Sequence, residues 1–270
     1  MKNIIKKAPV SLYFILAYVI SWSISLFVVG PKFYRGESLQ MGDTLVMFLG
    51  MLAGPSFAGI FMTAVVDGRN GLKELFARMS SWRVGLRWYL VGFIPPAFIL
   101  LVLLALSIFV SPVFYPSFTV IGLAIGFLAG FFEEIGWVGF ALPRMQEKYY
   151  SFHAGLIIGV LWGLWHLLAG YLGSSATLGI FWLPHFIAMF ILAMTATRII
   201  IVWVYNHTES VLLAQLIHAS STGFLYALSP SPISPANEML WSLVYALILW
   251  VFVIVIYSKY GKDLKKQRAY

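Results

Sequence analysis

About eight runs of roughly 20 apolar residues follow one another along this chain, and no other feature limits its fold so severely. The hydrocarbon core of a bilayer is about 30 Å thick and an α-helix rises about 1.5 Å per residue, so each run can cross it once. The runs occupy residues 8–30, 44–66, 88–110, 118–143, 154–172, 178–205, 210–228 and 238–257. Charge is correspondingly scarce: 10% of the 270 residues are charged and 61% are hydrophobic, whereas soluble domains carry about a quarter charged residues. The expected fold is all-α, a polytopic membrane bundle of about eight transmembrane helices forming a single domain over residues 1–270. A soluble α/β enzyme, a disordered regulator and a secreted disulfide scaffold are excluded. The chain has no cysteine, which removes disulfides, thiolate zinc ligands and a cysteine nucleophile.

The first run follows Lys2, Lys6 and Lys7 as a signal peptide would, but its length and the lack of a small-residue cleavage pattern mark it as a retained helix. Eight spans put both termini on one side, so lysine and arginine can be counted on alternating faces. One face takes 16 of the 18, from Lys2, Lys6 and Lys7 through Arg69–Arg87, Arg144, Lys148 and Arg198 to the C-terminal group 259–268; the other takes Lys32 and Arg35. That bias is the one cytoplasmic loops carry, so both termini are expected in the cytoplasm, and in a bacterium the host would be the cytoplasmic membrane. The net charge of +8 is thereby a consequence of topology, and nucleic acid is not an expected partner. Pro95-Pro96 should bend the third helix, and residues 229–235, with three prolines, should form a stiff external turn.

Two acids break the pattern. Glu133 and Glu134 lie inside the fourth run, eleven residues before Arg144 in the case of Glu133, or roughly 16 Å along a helix. A carboxylate at a helix centre costs about 2.5–3.5 kcal/mol to insert, which makes an intramembrane acid a functional candidate. Adjacent carboxylates disfavour each other's ionisation, as does an apolar setting, which suits the pair to proton transfer. His166 and His218 lie in two further apolar runs, at depths of about 20 Å and about 14 Å that bracket Glu133. Three helices thus bring a Glu-Glu pair and two histidines to one layer, where the alternative to mutual contact is unpaired polar groups in lipid. His153, His185 and His207 lack this placement. Gly122, Gly126 and Gly130 recur every fourth residue before the acids and form a stripe on which another helix can sit closely.

Glutamate with histidine can deprotonate and aim a water molecule, and a second histidine with a nearby hydroxyl can donate to a developing oxyanion. Glu133, His166 and His218 could instead bind a divalent metal such as zinc, so the residues leave the cofactor open between a metal and none. A proton-coupled carrier would also place such groups in the bilayer.

The sequence Glu-Glu-Ile-Gly-Trp-Val-Gly-Phe-Ala-Leu-Pro-Arg (133–144), the sequence Trp-Gly-Leu-Trp-His (162–166) and the late His218 resemble the CPBP family, the CAAX-prenyl-protease and bacteriocin-processing (Abi) intramembrane endopeptidases. The resemblance covers about residues 118–228, a catalytic helical core, and includes Thr197–Thr208 before the last catalytic helix. It implies an endopeptidase acting on a membrane-anchored peptide or protein at the cytoplasmic side of the bilayer, with Glu133, Glu134, His166, His218 and residue 222 in the site. It further implies that Glu133 and His166 activate water while His218 stabilises the oxyanion.

Two positions depart from the family pattern. Val138 stands where the motif Glu-Glu-x-x-x-Arg has arginine, which should leave Glu134 without its helix-face partner. Thr222 stands where His-x-x-x-Asn has asparagine, keeping one donor and losing the second. These departures sustain an alternative, a catalytically weak relative acting as a membrane binding or immunity protein.

Overall fold

The computed structural model describes residues 7–265. Every apolar run forms helix. The helices are α1 Pro9–Val28, α2 Met41–Met79, α3 Leu86–Phe109, α4 Val120–Gln146, α5 Ser151–Trp165, α6 Leu167–Leu178, α7 spanning residues 182–208, α8 Val211–Leu228 and α9 Pro235–Tyr260. Among the described residues seven helical stretches are long and apolar enough to cross a membrane, and α5, apolar over 15 residues, is the eighth of the expected set. The chain is an integral, multi-pass membrane protein. Helices dominate because hydrocarbon offers backbone N–H and C=O groups no partner except one another.

Local chemistry explains the departures from straight rods. The long α2 continues past its expected end and kinks at Gly68, whose φ of 65° a side chain would oppose. In α3 the bend falls at Gly92–Phe93, and Pro95 and Pro96 open the second segment, where a missing N–H leaves no hydrogen bond unmade. Residues 229–234 form the expected turn between α8 and α9, and the Ser234 hydroxyl accepts from the Asn237 N–H at 3.3 Å.

Contacts identify the two ends of the bundle. At one end Arg78 donates to the Gly139 carbonyl at 2.9 Å and to the Tyr205 hydroxyl at 2.8 Å, Arg144 pairs with Asp67, and Asn206 donates to the Asp263 carbonyl at 3.0 Å. Lys7, Arg78, Arg144 and Lys148 line one hollow there, so the loops counted as basic do share a face. Lys2, Lys6, Lys266 and Arg268 of that count lie outside the described residues. At the opposite end Lys32 pairs with Asp43 at 2.7 Å and the Ser117 hydroxyl donates to the Ser229 carbonyl at 2.5 Å. Arg198 corrects the count: it is not at a membrane surface but inside α7, with no exposed side-chain area.

Two stripes of glycine set the helix spacing around the centre. A methyl group on Gly122, Gly126 or Gly130 of α4 would meet the backbone of α8 around Ala219, Gly223 and Ala227, so the expected close approach is made with the helix that carries His218. A second stripe, Gly155, Gly159 and Gly163, seats α5 against α7 in the same way. On a third side Gly59 of α2 lies against the backbone at Gly136, and the Ser56 hydroxyl donates to the Phe132 carbonyl at 2.9 Å.

Candidate active site

The acids fall in the middle of α4 because the glycine stripe and α2 clamp both sides of that turn. Glu133 and Glu134 are both buried, and they turn to different partners. Glu134 accepts two hydrogen bonds from Arg198, 2.6 Å to Oε2 and 2.8 Å to Oε1, and Oε1 also lies 2.7 Å from Nδ1 of His218. Both residues of the Arg198–Glu134 pair have 0% side-chain exposure. Charge-assisted, bidentate bonds of this kind are what make a buried carboxylate tolerable. Glu133 accepts from two indoles instead: Trp162 Nε1 at 2.7 Å and Trp137 Nε1 at 3.3 Å, both to Oε2.

His166 sits where α5 ends and α6 begins. The helix breaks there, and its terminal carbonyls find partners on α1: the Tyr18 hydroxyl donates to Leu161 at 2.5 Å and Trp22 Nε1 donates to Trp165 at 2.8 Å. His166 Nδ1 lies 2.9 Å from the carbonyl of Trp162. A carbonyl can only accept, so Nδ1 carries the proton and the neutral ring keeps its lone pair on Nε2. For His218 the Glu134 carboxylate fixes Nδ1 as a donor by the same reasoning, again leaving Nε2 for other chemistry.

Trp162 joins these parts. Its indole N–H holds Glu133, its carbonyl holds His166, its ring faces the Arg198 guanidinium at 4.4 Å, and its centroid is 4.7 Å from that of His218 at a T-shaped angle of 70°. Glu133, Trp162, His166, His218 and Thr222 all line one cavity of about 500 Å³. The structure therefore brings together every residue expected in the site, with Glu134 held behind His218. Glu133 and His166 meet across the cavity wall through Trp162; no direct hydrogen bond joins them among the described residues.

The zinc set considered from sequence is not assembled in this arrangement. Among the described residues no three His, Asp or Glu side chains converge in a way that could hold a metal ion, and Nδ1 of both histidines is committed to protein acceptors. The donor groups present form a proton-handling set around a largely apolar cavity.

Residues 115–224, which contain all of these groups, match the family described as "Type II CAAX prenyl endopeptidase Rce1-like". The whole chain is also similar to CAAX prenyl protease 2 of Methanococcus maripaludis, 25% identical over 268 residues that cover 92% of this chain and 93% of that protein. The chain belongs to the CPBP family of intramembrane proteases. Against the CPBP pattern, the expectation that Val138 strands Glu134 is corrected. Val138 is a fully buried apolar residue, and the arginine for Glu134 comes from another helix, α7, as Arg198. Sequence reasoning misses this because a count of basic residues by alternating faces takes every cation for a surface charge, even one seven residues inside a span that ends at Tyr205. The signal is present: Arg198 precedes Ile199-Ile200-Ile201-Val202, an apolar stretch that offers an arginine no water. Trp162 reads in sequence as a mere aromatic replacement for the family's phenylalanine, yet phenylalanine could not donate to Glu133.

Proposed function

We propose that this CPBP protein is an endopeptidase that hydrolyses peptide bonds of membrane-associated substrates by a water molecule activated between Glu133 and His166. The observation that carries the reading is the convergence of Glu133, His166, His218 and Thr222 on one mid-helix cavity, each acid and histidine with a defined partner. Residues 118–228 form the catalytic core in this reading.

In this mechanism Glu133, with His166 Nε2 as the second acceptor, takes a proton from water as its oxygen bonds to the scissile carbonyl carbon. The carbonyl π electrons move to oxygen. That oxyanion accepts from Nε2–H of His218, an imidazolium sustained by Glu134, and from the Thr222 hydroxyl one helical turn further on. When the tetrahedral intermediate collapses the C–N bond breaks, and the departing nitrogen takes back the proton held by Glu133. Arg198 reacts with nothing. It neutralises Glu134 so that this carboxylate can serve His218 without competing for the water proton.

The test is cleavage of a peptide substrate by purified protein. Glu133→Gln, His166→Ala and His218→Ala should each abolish turnover while gel-filtration behaviour and helical content stay as in the parent; full turnover in either of the first two would end this assignment. The second reading, a membrane binding or immunity protein of weak activity, is favoured by Thr222 alone, since one hydroxyl replaces an amide donor. A biological role that survives Glu133→Gln would select it.

A further inference from the structure

Resting on the peptidase reading above, we infer that the cavity takes its peptide from the face opposite the basic loops, so that the substrate is a peptide whose scissile bond lies in the outer half of the bilayer. Two independent observations point to that face. The first is the course of the cavity. Its floor is Glu133, His166 and His218, near the middle of α4, between α5 and α6, and near the middle of α8. From there its lining runs in one direction only. It reaches Thr44 in the first turn of α2, Thr177 in the last turn of α6, Ser229 after α8 and Glu238 in the first turn of α9. All four lie at the end that carries Lys32 and Asp43. Among the described residues no lysine or arginine lines the cavity, and the hollow at the basic end shares no lining residue with it.

The second observation is the charge asymmetry. The basic end gathers Arg78, Arg144 and Lys148 about Asp67 and Glu74, and by the positive-inside rule that end faces the cytoplasm. A peptide arriving from the cytoplasm would have to pass the packed layer in which Arg78 is bonded to Gly139 and Tyr205, and Arg144 to Asp67. From the outer face the path is open and apolar, walled by Met47, Phe48, Met51, Phe190, Trp241 and Tyr245, with hydroxyls at the rim. Such a wall suits an extended apolar segment, with the polar rim receiving the chain where it leaves the membrane. In place of the cytoplasmic-side cleavage expected from sequence, this geometry serves exported peptides and the outer ends of membrane-spanning segments.

The natural absence of cysteine makes the test direct. Thr222→Cys on the floor, Thr177→Cys at the rim and Lys73→Cys on the exposed basic end are each expressed as the full chain and treated with a membrane-impermeant cationic methanethiosulfonate. One sample is intact cells, the other sealed inverted vesicles. The expected result is that Thr222→Cys and Thr177→Cys are modified in cells and lose that modification in inverted vesicles, with Lys73→Cys behaving in the opposite way. Modification of Thr222→Cys from the same face as Lys73→Cys, or from neither face, overturns the proposal. If Thr222→Cys does not accumulate, labelling of Thr177→Cys and Lys73→Cys from one common face overturns it equally. Labelling does not depend on turnover, so failure of the peptidase reading leaves this measurement intact and is seen separately in detergent, where an internally quenched apolar peptide would go uncut by the parent protein.

Discussion

Replacing Arg198 with methionine tests the electrostatic core of the site most directly. The substitution keeps an unbranched apolar stem against Trp162 and removes the guanidinium that bonds both Glu134 oxygens at 2.6 and 2.8 Å. Glu134 has no exposed area and cannot recruit water, so its charge would be left with His218 alone. Breaking a buried ion pair from one side costs about 3–5 kcal/mol. The surviving His218 contact puts Arg198→Met at the lower end, about 3 kcal/mol or roughly a hundredfold in the folded-to-unfolded ratio. The double variant Arg198→Met with Glu134→Gln removes the orphaned charge as well, and should recover at least about 1 kcal/mol relative to the sum of the single changes. Equilibrium unfolding in mixed micelles, followed by tryptophan fluorescence, gives all four corners of the cycle. If Arg198→Met costs under about 1 kcal/mol, or if the two changes add without coupling, the pair is not the structural charge it is taken for and Val138 is uncompensated.

Trp162→Phe retains a ring beside Arg198 and His218 but loses the N–H to Glu133; a hydrogen bond to a charged group is worth about 1.5–3 kcal/mol, so kcat should fall roughly 10- to 100-fold, and an unchanged kcat would remove Trp162 from the site. Thr222→Asn supplies the second donor that the family pattern has, and should raise kcat with little change in KM, whereas Thr222→Val should lower it about 100-fold; equal rates in all three would take residue 222 out of oxyanion binding. Incubation with a strong chelator should leave the rate unchanged, since no metal-binding cluster is formed among the described residues, and a loss restored by added zinc would refute the metal-free mechanism.

Much of this arrangement is written in the apolar runs. Span positions, the acid pair and the two deep histidines all follow from the cost of polar atoms in hydrocarbon, a strong term that acts one residue at a time and so leaves a one-dimensional trace. The glycine stripe before Glu133 is legible for the same reason, through its period of four. What escapes is relational. Whether Arg198 is a surface charge or an internal partner depends on where α7 ends, and an end is fixed by packing against α5 and α9 more than by its own residues. The indole bonds to Glu133 come from two different helices, and only their approach in space makes a tryptophan at 162 differ from a phenylalanine. The break at His166 likewise has no proline or adjacent helix-breaking pair to announce it; its carbonyls are answered by Tyr18 and Trp22, 143 residues away in each case.

Those two bonds bear on how the protein is made. During synthesis α1 enters the membrane first and must wait for α5 before Tyr18 and Trp22 have carbonyls to hold, and α2 must wait for α4 before Ser56 and Gly59 find theirs. The segment that carries all the reactive side chains is thus finished by helices translated before it. Cut free of α1 and α2, it would keep its chemistry in sequence and lose the braces that hold it in place.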